Sequence, residues 1–433
     1  MKRVLLIATT TGYQIRAFGE AAEKLGVRLV FASDRCDRLE DPWWDQAIAV
    51  RFHEAEASAG AVVAALEGSR PDGILAVGDR PATLAAAVAQ VLGLPGHPPD
   101  AAFRSRNKLA SREAMRNAGL PVPSFEPVSI HADARALARS ASYPAVVKPL
   151  ALSGSRGVMR VNTAEELVAA FERLRRLLQS PDVRIERDEA HEMAMIESFI
   201  PGREFAVEGL LDHGTLRLLA IFDKPDPLDG PFFEETIYVT PSRAPEAVQR
   251  AIEEAVAAAV AALGLRHGPI HAECRVESRA GVEGPEVYVL EVAARPIGGL
   301  CSKALRFSGQ RAAGSGQEAT GTSLEEVLLR HALGEDVSAF TREGEASGVM
   351  MIPIPQRGIY RGVEGVEAAR AVAGIDGIQI TMKPDAVLVP LPEGKSYLGF
   401  IFARGTAAAG VEGALRTAHA RLRFRIEREI SVA

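Results

Sequence analysis

The sequence predicts an α/β protein that opens with a doubly wound parallel sheet, helices on both faces, and continues into α+β parts. Three observations carry this reading. Short apolar runs alternate with helix-period segments over residues 4–93; a Pro/Gly-rich stretch, 94–99, interrupts the alternation; and two β-branched runs near 270–293 each hold a carboxylate among apolar neighbours. With 433 residues the chain has length for about three domains and an ample core.

Within 1–99, residues 4–8, 27–32 and 73–77 read as strands, and 13–25, 57–67 and 81–92 as helices, the first and last of these ended by Gly26 and Gly93. The first turn, Thr9-Thr10-Thr11-Gly12, lacks Gly-x-Gly-x-x-Gly and carries no dinucleotide signature. Asp79 and Arg80 follow the 73–77 strand at the carboxyl edge where such sheets take ligands, although such a pair is more often a helix cap with a neighbour. Trp43 and Trp44 read as packing or a domain contact. Beyond the linker, 107–118 reads as a helix, and strands 143–149 and 157–161 flank a Ser/Gly loop. A capping box, Thr163 with Glu166, opens a helix that stops at Ser180-Pro181. Strands 195–200 and 204–211 surround Pro201-Gly202, and 245–263 is a helix ended by Gly264. After the 270–293 pair come a Gly/Ser/Ala loop at 309–322, a capped helix 323–333, strands 348–354, 378–382 and 397–403, and a last helix 408–422.

Composition excludes several classes. Apolar content of 47% and charged content of 24% are those of an ordinary globular protein. A net charge of −6 without a basic tail gives no footprint for nucleic acid or an anionic membrane. Cys36, Cys274 and Cys301 are odd in number and far apart, so neither a disulfide framework nor a zinc site is indicated. The N-terminal apolar run breaks at Thr9 and reads as a strand rather than a signal core, and no apolar run reaches the roughly 20 residues that span a bilayer. A reducing cytoplasm is the expected location.

The carboxylates of the 270–293 pair are Glu273 and Glu291. Burying an unpaired charge there would cost several kcal/mol, so something cationic should lie between them. On neighbouring strands, opposed side chains approach to about 5 Å, close enough to share one hard cation such as Mg²⁺. A wet sheet face, or pairing with Arg275 and Arg295, satisfies the same physics.

Lysine supplies only 8 of the 50 basic residues, which draws attention to Lys108, Lys148 and Lys224 in mid-chain. Lys148 enters the loop Ser153-Gly154-Ser155-Arg156-Gly157; a lysine there can neutralise a phosphate while glycines let backbone N–H groups close round its oxygens. A plain flexible turn is the other explanation, and the lysine precedes the glycines, unlike a P-loop. The acidic, aromatic loop 222–235 reads as solvated charge, with Glu234 or Glu235 suited to a substrate ammonium and Lys224 to a phosphate. His271 reads as a structural donor beside Glu273.

The order is distinctive: Lys108, Lys148 with its glycine loop, Glu197-Ser198-Phe199-Ile200-Pro201-Gly202-Arg203-Glu204, Glu273, then Glu291 and Arg295. With this order the chain resembles the ATP-grasp superfamily over essentially its full length, and within it the carboxylate–amine ligases that join amino acids, the L-amino acid ligases. The resemblance implies an ATP-grasp fold: a pre-domain at 1–99, two ATP-grasp subdomains at 100–196 and 197–335, and an L-amino acid ligase-like α+β domain at 336–433. It implies that Lys108 and Lys148 contact nucleotide phosphates under the loop formed by Ser153, Gly154, Ser155 and Gly157. Glu197, Ser198, Phe199 and Ile200 would form the hinge that reads the adenine edge, and Glu204 would hold the ribose hydroxyls. Glu273 and Glu291 would bind Mg²⁺, with Mn²⁺ as an alternative metal. Arg295 would steady the transferring phosphoryl group, and Gly298 and Gly299, otherwise a simple turn, would face the acceptor carboxylate. Where the family usually has Glu-x-Asn, this chain has Glu291-Val292-Ala293. The activity implied is ATP-dependent amide formation through an acyl phosphate, on small-molecule carboxylate and amine substrates, by a monomer or a homodimer. The alternatives are a bicarbonate-activating carboxylase-type enzyme, or a catalytically impaired ATP-binding regulator marked by Ala293.

Overall fold

The computed structural model describes residues 1–10, 14–35, 47–277, 284–310 and 318–428. Strands Ile48–Ala49, Arg28–Ser33, Arg3–Ala8 and Gly73–Val77 lie side by side in that order, all parallel. Leu5 and Ile7 enter one core while Val4 and Leu6 enter another, and all four are fully buried. Burial on both faces is why this strand reads as an unbroken apolar run. Helices Ile15–Leu25 and Asp79–Leu92 end at Gly26 and Gly93, whose φ values of 63° and 60° are the left-handed cap that glycine adopts without a Cβ penalty. Trp43, Trp44 and Cys36 lie outside the described residues.

The linker is shorter than its composition suggests, because Pro99–Arg106 is a helix with proline at its first position, where the missing N–H costs nothing. Helix Lys108–Asn117 follows, capped by the Asn107 side chain, which accepts from the N–H groups of Leu109 and Ala110. Strands Phe125–Ser129, Met193–Ser198, Ala145–Pro149 and Met159–Val161 form a four-stranded antiparallel sheet in that order, backed by helix Ala164–Leu178. Only half of the expected capping box forms at that helix. Thr163 accepts from Glu166 N–H, whereas the Glu166 carboxylate accepts from Asn162 N–H at 2.7 Å. The reciprocal box is at Ser323 and Glu326, opening helix Leu324–Ala332.

The largest sheet has eight antiparallel strands, ordered Glu286–Ala293, Gly268–Glu277, Arg203–Asp212, Thr215–Asp223, Ile237–Thr240, Ala346–Ile352, Gly399–Gly405 and Ile375–Ile380. Helix Glu246–Leu263 packs against its first strands and Ala408–His419 against its last. The pairing of Ile237–Thr240 with Ala346–Ile352 carries the sheet from the centre of the chain into its C-terminal part. The 309–322 segment, expected as a loop, includes parts of strands Arg306–Gln310 and Glu318–Ser323, which pair with each other. Among the described residues no helix is long and apolar enough to cross a membrane.

Candidate active site

The four-stranded and eight-stranded sheets both wall a cavity of about 300 Å³. Every residue that the resemblance assigns to the site lines it except Gly157; Glu235 lines it too, whereas Asp79, Arg80, Lys224 and Glu234 do not. Gly157 instead packs: its N–H donates to the Pro392 carbonyl at 2.8 Å, and a Cβ there would lie 2.9 Å from Leu174 Cδ1. Gly154 and Ser155 in the same loop take left-handed φ values of 64° and 55°, a turn that brings backbone to the cavity wall.

Glu273 and Glu291 are direct cross-strand partners, with a register shift just beyond them. Their oxygens are balanced by ammonium groups from separate segments: Lys224 Nζ lies 3.4 Å from Glu273, and Lys108 Nζ 3.2 Å from Glu291. The two arginines are engaged elsewhere, Arg275 with Glu204 at 2.9 Å and Arg295 with Asp79 at 2.8 Å. The acid side chains remain 27% and 30% exposed, so oxygen lone pairs still face the cavity. Two hard carboxylate donors beside open space fit Mg²⁺, which takes one or two carboxylates and fills its other positions with phosphate oxygens and water. Ala293, the partner of His271, is buried and adds no donor.

Buried ion pairs frame the floor. Lys148 on strand Ala145–Pro149 donates to Glu197, whose other oxygen accepts from Arg112 Nε at 3.1 Å. Burial lowers Lys148 to about 8 against the pull of Glu197. Burial would raise Glu197, but Arg112 and Lys148 together hold it at about 2. Arg112, 1% exposed, also donates to the carbonyls of Val289 and Leu290 at 3.2 and 2.8 Å, tying the 197–200 segment to the strand that bears Glu291.

A second web centres on Lys224, within 2.8 Å of Glu204 and 2.6 Å of Glu235. Burial disfavours its charge, yet Glu204, Glu235 and Glu273 outweigh burial and raise its pKa. Burial, then the neighbouring Glu273, raise Glu235 despite Lys224. Arg275 donates to the Ile200 carbonyl at 2.7 Å and lies over the rings of Phe199 and Phe233, which stack at 6.4 Å. These contacts fix the segment that lines the cavity from 197 to 200.

The turn after Glu291 is held from three sides. Arg295 donates to both oxygens of Asp79, at 2.8 and 3.4 Å, and Asp79 is thereby lowered although burial would raise it. Ile297 N–H donates to Glu208, a carboxylate that is fully buried and consequently raised. His271 Nδ1 lies 3.1 Å from Glu208 and its Nε2 3.8 Å from Glu273, the structural position expected of it. Gly299 is left-handed at φ 62°, and a Cβ there would crowd Phe400 at 3.1 Å. Arg112, Glu208 and the C-terminal Lys395 and Tyr397 also belong to this site or its supports; no local spacing marks them, since their partners are distant in sequence.

Three family models match consecutive parts of the chain: an ATP-grasp N-terminal domain at 19–96, an ATP-grasp domain at 141–304, and an L-amino acid ligase C-terminal domain 2 at 350–427. The structure of an L-amino acid ligase from Bacillus licheniformis superposes with a TM-score of 0.80 at 27% identity, over 99% of both chains. An N5-carboxyaminoimidazole ribonucleotide synthetase from Thermotoga maritima shares the fold, with a TM-score of 0.68 at 17% identity over 99% of this chain and 100% of that one. In sequence, D-alanine–D-alanine ligase B of Chromobacterium violaceum is 31% identical over 217 residues, 49% of this chain and 64% of that protein. The uncharacterized protein y4rH of Sinorhizobium fredii is 26% identical over 321 residues, 72% of this chain and 59% of that protein. The chain thus spans about three fifths of the length of these two curated relatives.

Proposed function

Because this chain belongs to the ATP-grasp superfamily and carries an L-amino acid ligase C-terminal domain, we propose that it is an ATP-dependent ligase joining a carboxylate to an amine. The observation that carries the reading is the convergence of Lys108, Lys148, Glu273, Glu291 and Arg295 on one cavity, from four separate stretches of chain.

The carboxylate oxygen of one substrate attacks the γ-phosphorus of ATP in line, the bond to the β-phosphate oxygen breaks, and ADP leaves. The amine nitrogen of the second substrate then attacks the acyl carbon, the C–O bond to phosphate breaks, and the ammonium proton passes to solvent. Phosphoryl transfer of this kind needs positioning and charge neutralisation rather than a covalent enzyme intermediate. Lys108 and Lys148 offer ammonium groups to the nucleotide phosphates, and the backbone of Ser153, Gly154 and Ser155 closes over them. Backbone groups of 197–200 meet the adenine edge. Glu204, held by Lys224 and Arg275, keeps lone pairs for the ribose hydroxyls. Arg295, set by Asp79, neutralises the phosphoryl group in transfer. Gly298 and Gly299 leave room for the acceptor carboxylate. Glu273 and Glu291 would hold Mg²⁺, which when bound draws charge off the phosphate oxygens.

A phosphate-release screen of paired amino acids and small carboxylic acids, with ATP and Mg²⁺, tests the proposal. ADP and phosphate formed in step with an amide product are expected. ATP hydrolysis that depends on bicarbonate alone would replace this reading with carboxylate activation of the carboxylase type. Tight ATP binding with no turnover on any pair would favour an impaired regulator, for which Ala293 is the motivating feature.

A further inference from the structure

Some distance from the cavity, four side chains from three segments meet at a corner of the molecule. Asp212 ends strand Arg203–Asp212 and His213 opens the turn to strand Thr215–Asp223, His267 precedes strand Gly268–Glu277, and His331 lies on helix Leu324–Ala332. Glu204 stands eight residues before Asp212 on the same strand, which separates this corner from that end of the cavity by roughly 26 Å at the usual rise per residue.

Around Asp212 Oδ1 the imidazole nitrogens lie at 3.3 Å (His267 Nδ1), 3.6 Å (His331 Nε2) and 3.8 Å (His213 Nε2). The ligand atoms of Asp212, His213 and His267 all fall within 4.8 Å of one another. Donors bound tetrahedrally to Zn²⁺ at its usual bond lengths are about 3.4 Å apart, so these side chains are already near a coordination polyhedron. His267 Nδ1 and His331 Nε2 are buried and make no hydrogen bond of acceptable geometry, on side chains only 10% and 5% exposed. A buried imidazole nitrogen without a partner is costly unless something else satisfies it. The His267 and His331 rings stack at 4.2 Å, and His213 tilts against His267 at 5.0 Å.

We propose that Asp212, His213 and His267 bind one Zn²⁺, with a fourth position open to solvent and His331 facing the Asp212 carboxylate as its support. The Asp212 and His213 side chains are 68% and 78% exposed, so the ion reaches the site directly from solvent. Imidazole with one carboxylate is a donor set for zinc rather than magnesium, which distinguishes this corner from the all-carboxylate pair in the cavity. Bound there, the ion pins the 212–213 turn to the start of the strand that carries Glu273.

The test uses the untagged full-length protein, stripped with a chelator and titrated with Zn²⁺, with metal content, melting temperature and the visible spectrum of the Co²⁺ form as readouts. The expected result is one equivalent bound, a raised melting temperature and a tetrahedral Co²⁺ spectrum. All three should persist in a Glu273→Gln/Glu291→Gln double variant, which removes the cavity carboxylates. Asp212→Asn/His213→Ala alters only exposed side chains, and it should weaken Zn²⁺ binding by roughly 100-fold or more and abolish the spectrum. Equal Zn²⁺ uptake by this variant and the native chain would overturn the assignment, as would loss of all binding in the Glu273→Gln/Glu291→Gln variant.

Discussion

Asp79 holds Arg295 across 216 residues of sequence, accepting from Nε at 2.8 Å and from Nη2 at 3.4 Å. A carboxylate at the edge of the N-terminal sheet thereby orients a guanidinium that lines the cavity. Asp79→Asn keeps the size of the side chain and removes its charge. A hydrogen bond to a charged group is worth about 1.5–3 kcal/mol, so kcat is expected to fall roughly 10- to 100-fold with KM for ATP nearly unchanged. Steady-state phosphate release measures both constants; a change confined to KM would show that Arg295 acts in binding alone.

Glu291→Ala should abolish turnover while circular dichroism and melting temperature stay close to native. The side chain is 30% exposed and its salt bridge to Lys108 contributes little to stability at such a position. Near-native activity in this variant would remove Glu291 from the metal site.

Ala293→Asn restores the amide that the family usually carries. Ala293 is 3% exposed, so the larger side chain is expected to cost about 1–3 kcal/mol in a urea titration through overpacking. If the chain uses water where relatives use the amide, the Mg²⁺ concentration for half-maximal activity should fall in this variant. An unchanged Mg²⁺ requirement would mean that position 293 does not reach the ion.

Lys148, lowered by burial to about 8, is an ammonium below that pH and loses its charge as pH rises through it. The pH profile of kcat/KM for ATP should therefore bend downward near 8. Stability moves the other way: with its folded pKa below the unfolded value, the folded chain binds fewer protons between about pH 8 and 10.5, so this group makes folding more favourable as pH climbs. A loss of ATP affinity above pH 8 that coincided with unfolding would contradict the assignment.

Much of the fold was legible because local patterns agree with it. The 4–8 run, the glycine stops at Gly26, Gly93 and Gly264, and the carboxylates on two β-branched strands all report local structure. The requirement for a cation near Glu273 and Glu291 was also legible, but its source was not. Two lysines from separate segments supply it, while Arg275 and Arg295 turn to Glu204 and Asp79. Arg112 shows why: it sits on an ordinary amphipathic helix, and its partner Glu197 is 85 residues away, a pairing that no periodicity encodes. The eight-stranded sheet escaped for the same reason, since the pairing of its fifth and sixth strands joins segments about a hundred residues apart. Gly157 was placed in the phosphate loop by the resemblance; outside the cavity lining, its N–H donates to the Pro392 carbonyl and Leu174 leaves no room for a Cβ, neither of which local sequence encodes.

The pairing of Ile237–Thr240 with Ala346–Ile352 also bears on domain exchange. A chimaera that borrows its C-terminal part from a chain of the same fold inherits the sixth, seventh and eighth strands of the sheet whose first two carry Glu291 and Glu273. It also inherits Lys395 and Tyr397 in the cavity wall, together with the Pro392 carbonyl that anchors the glycine loop. Swapping this part transplants a piece of the cavity wall, so, if the proposed activity holds, altered substrate choice and altered ATP handling should arrive together.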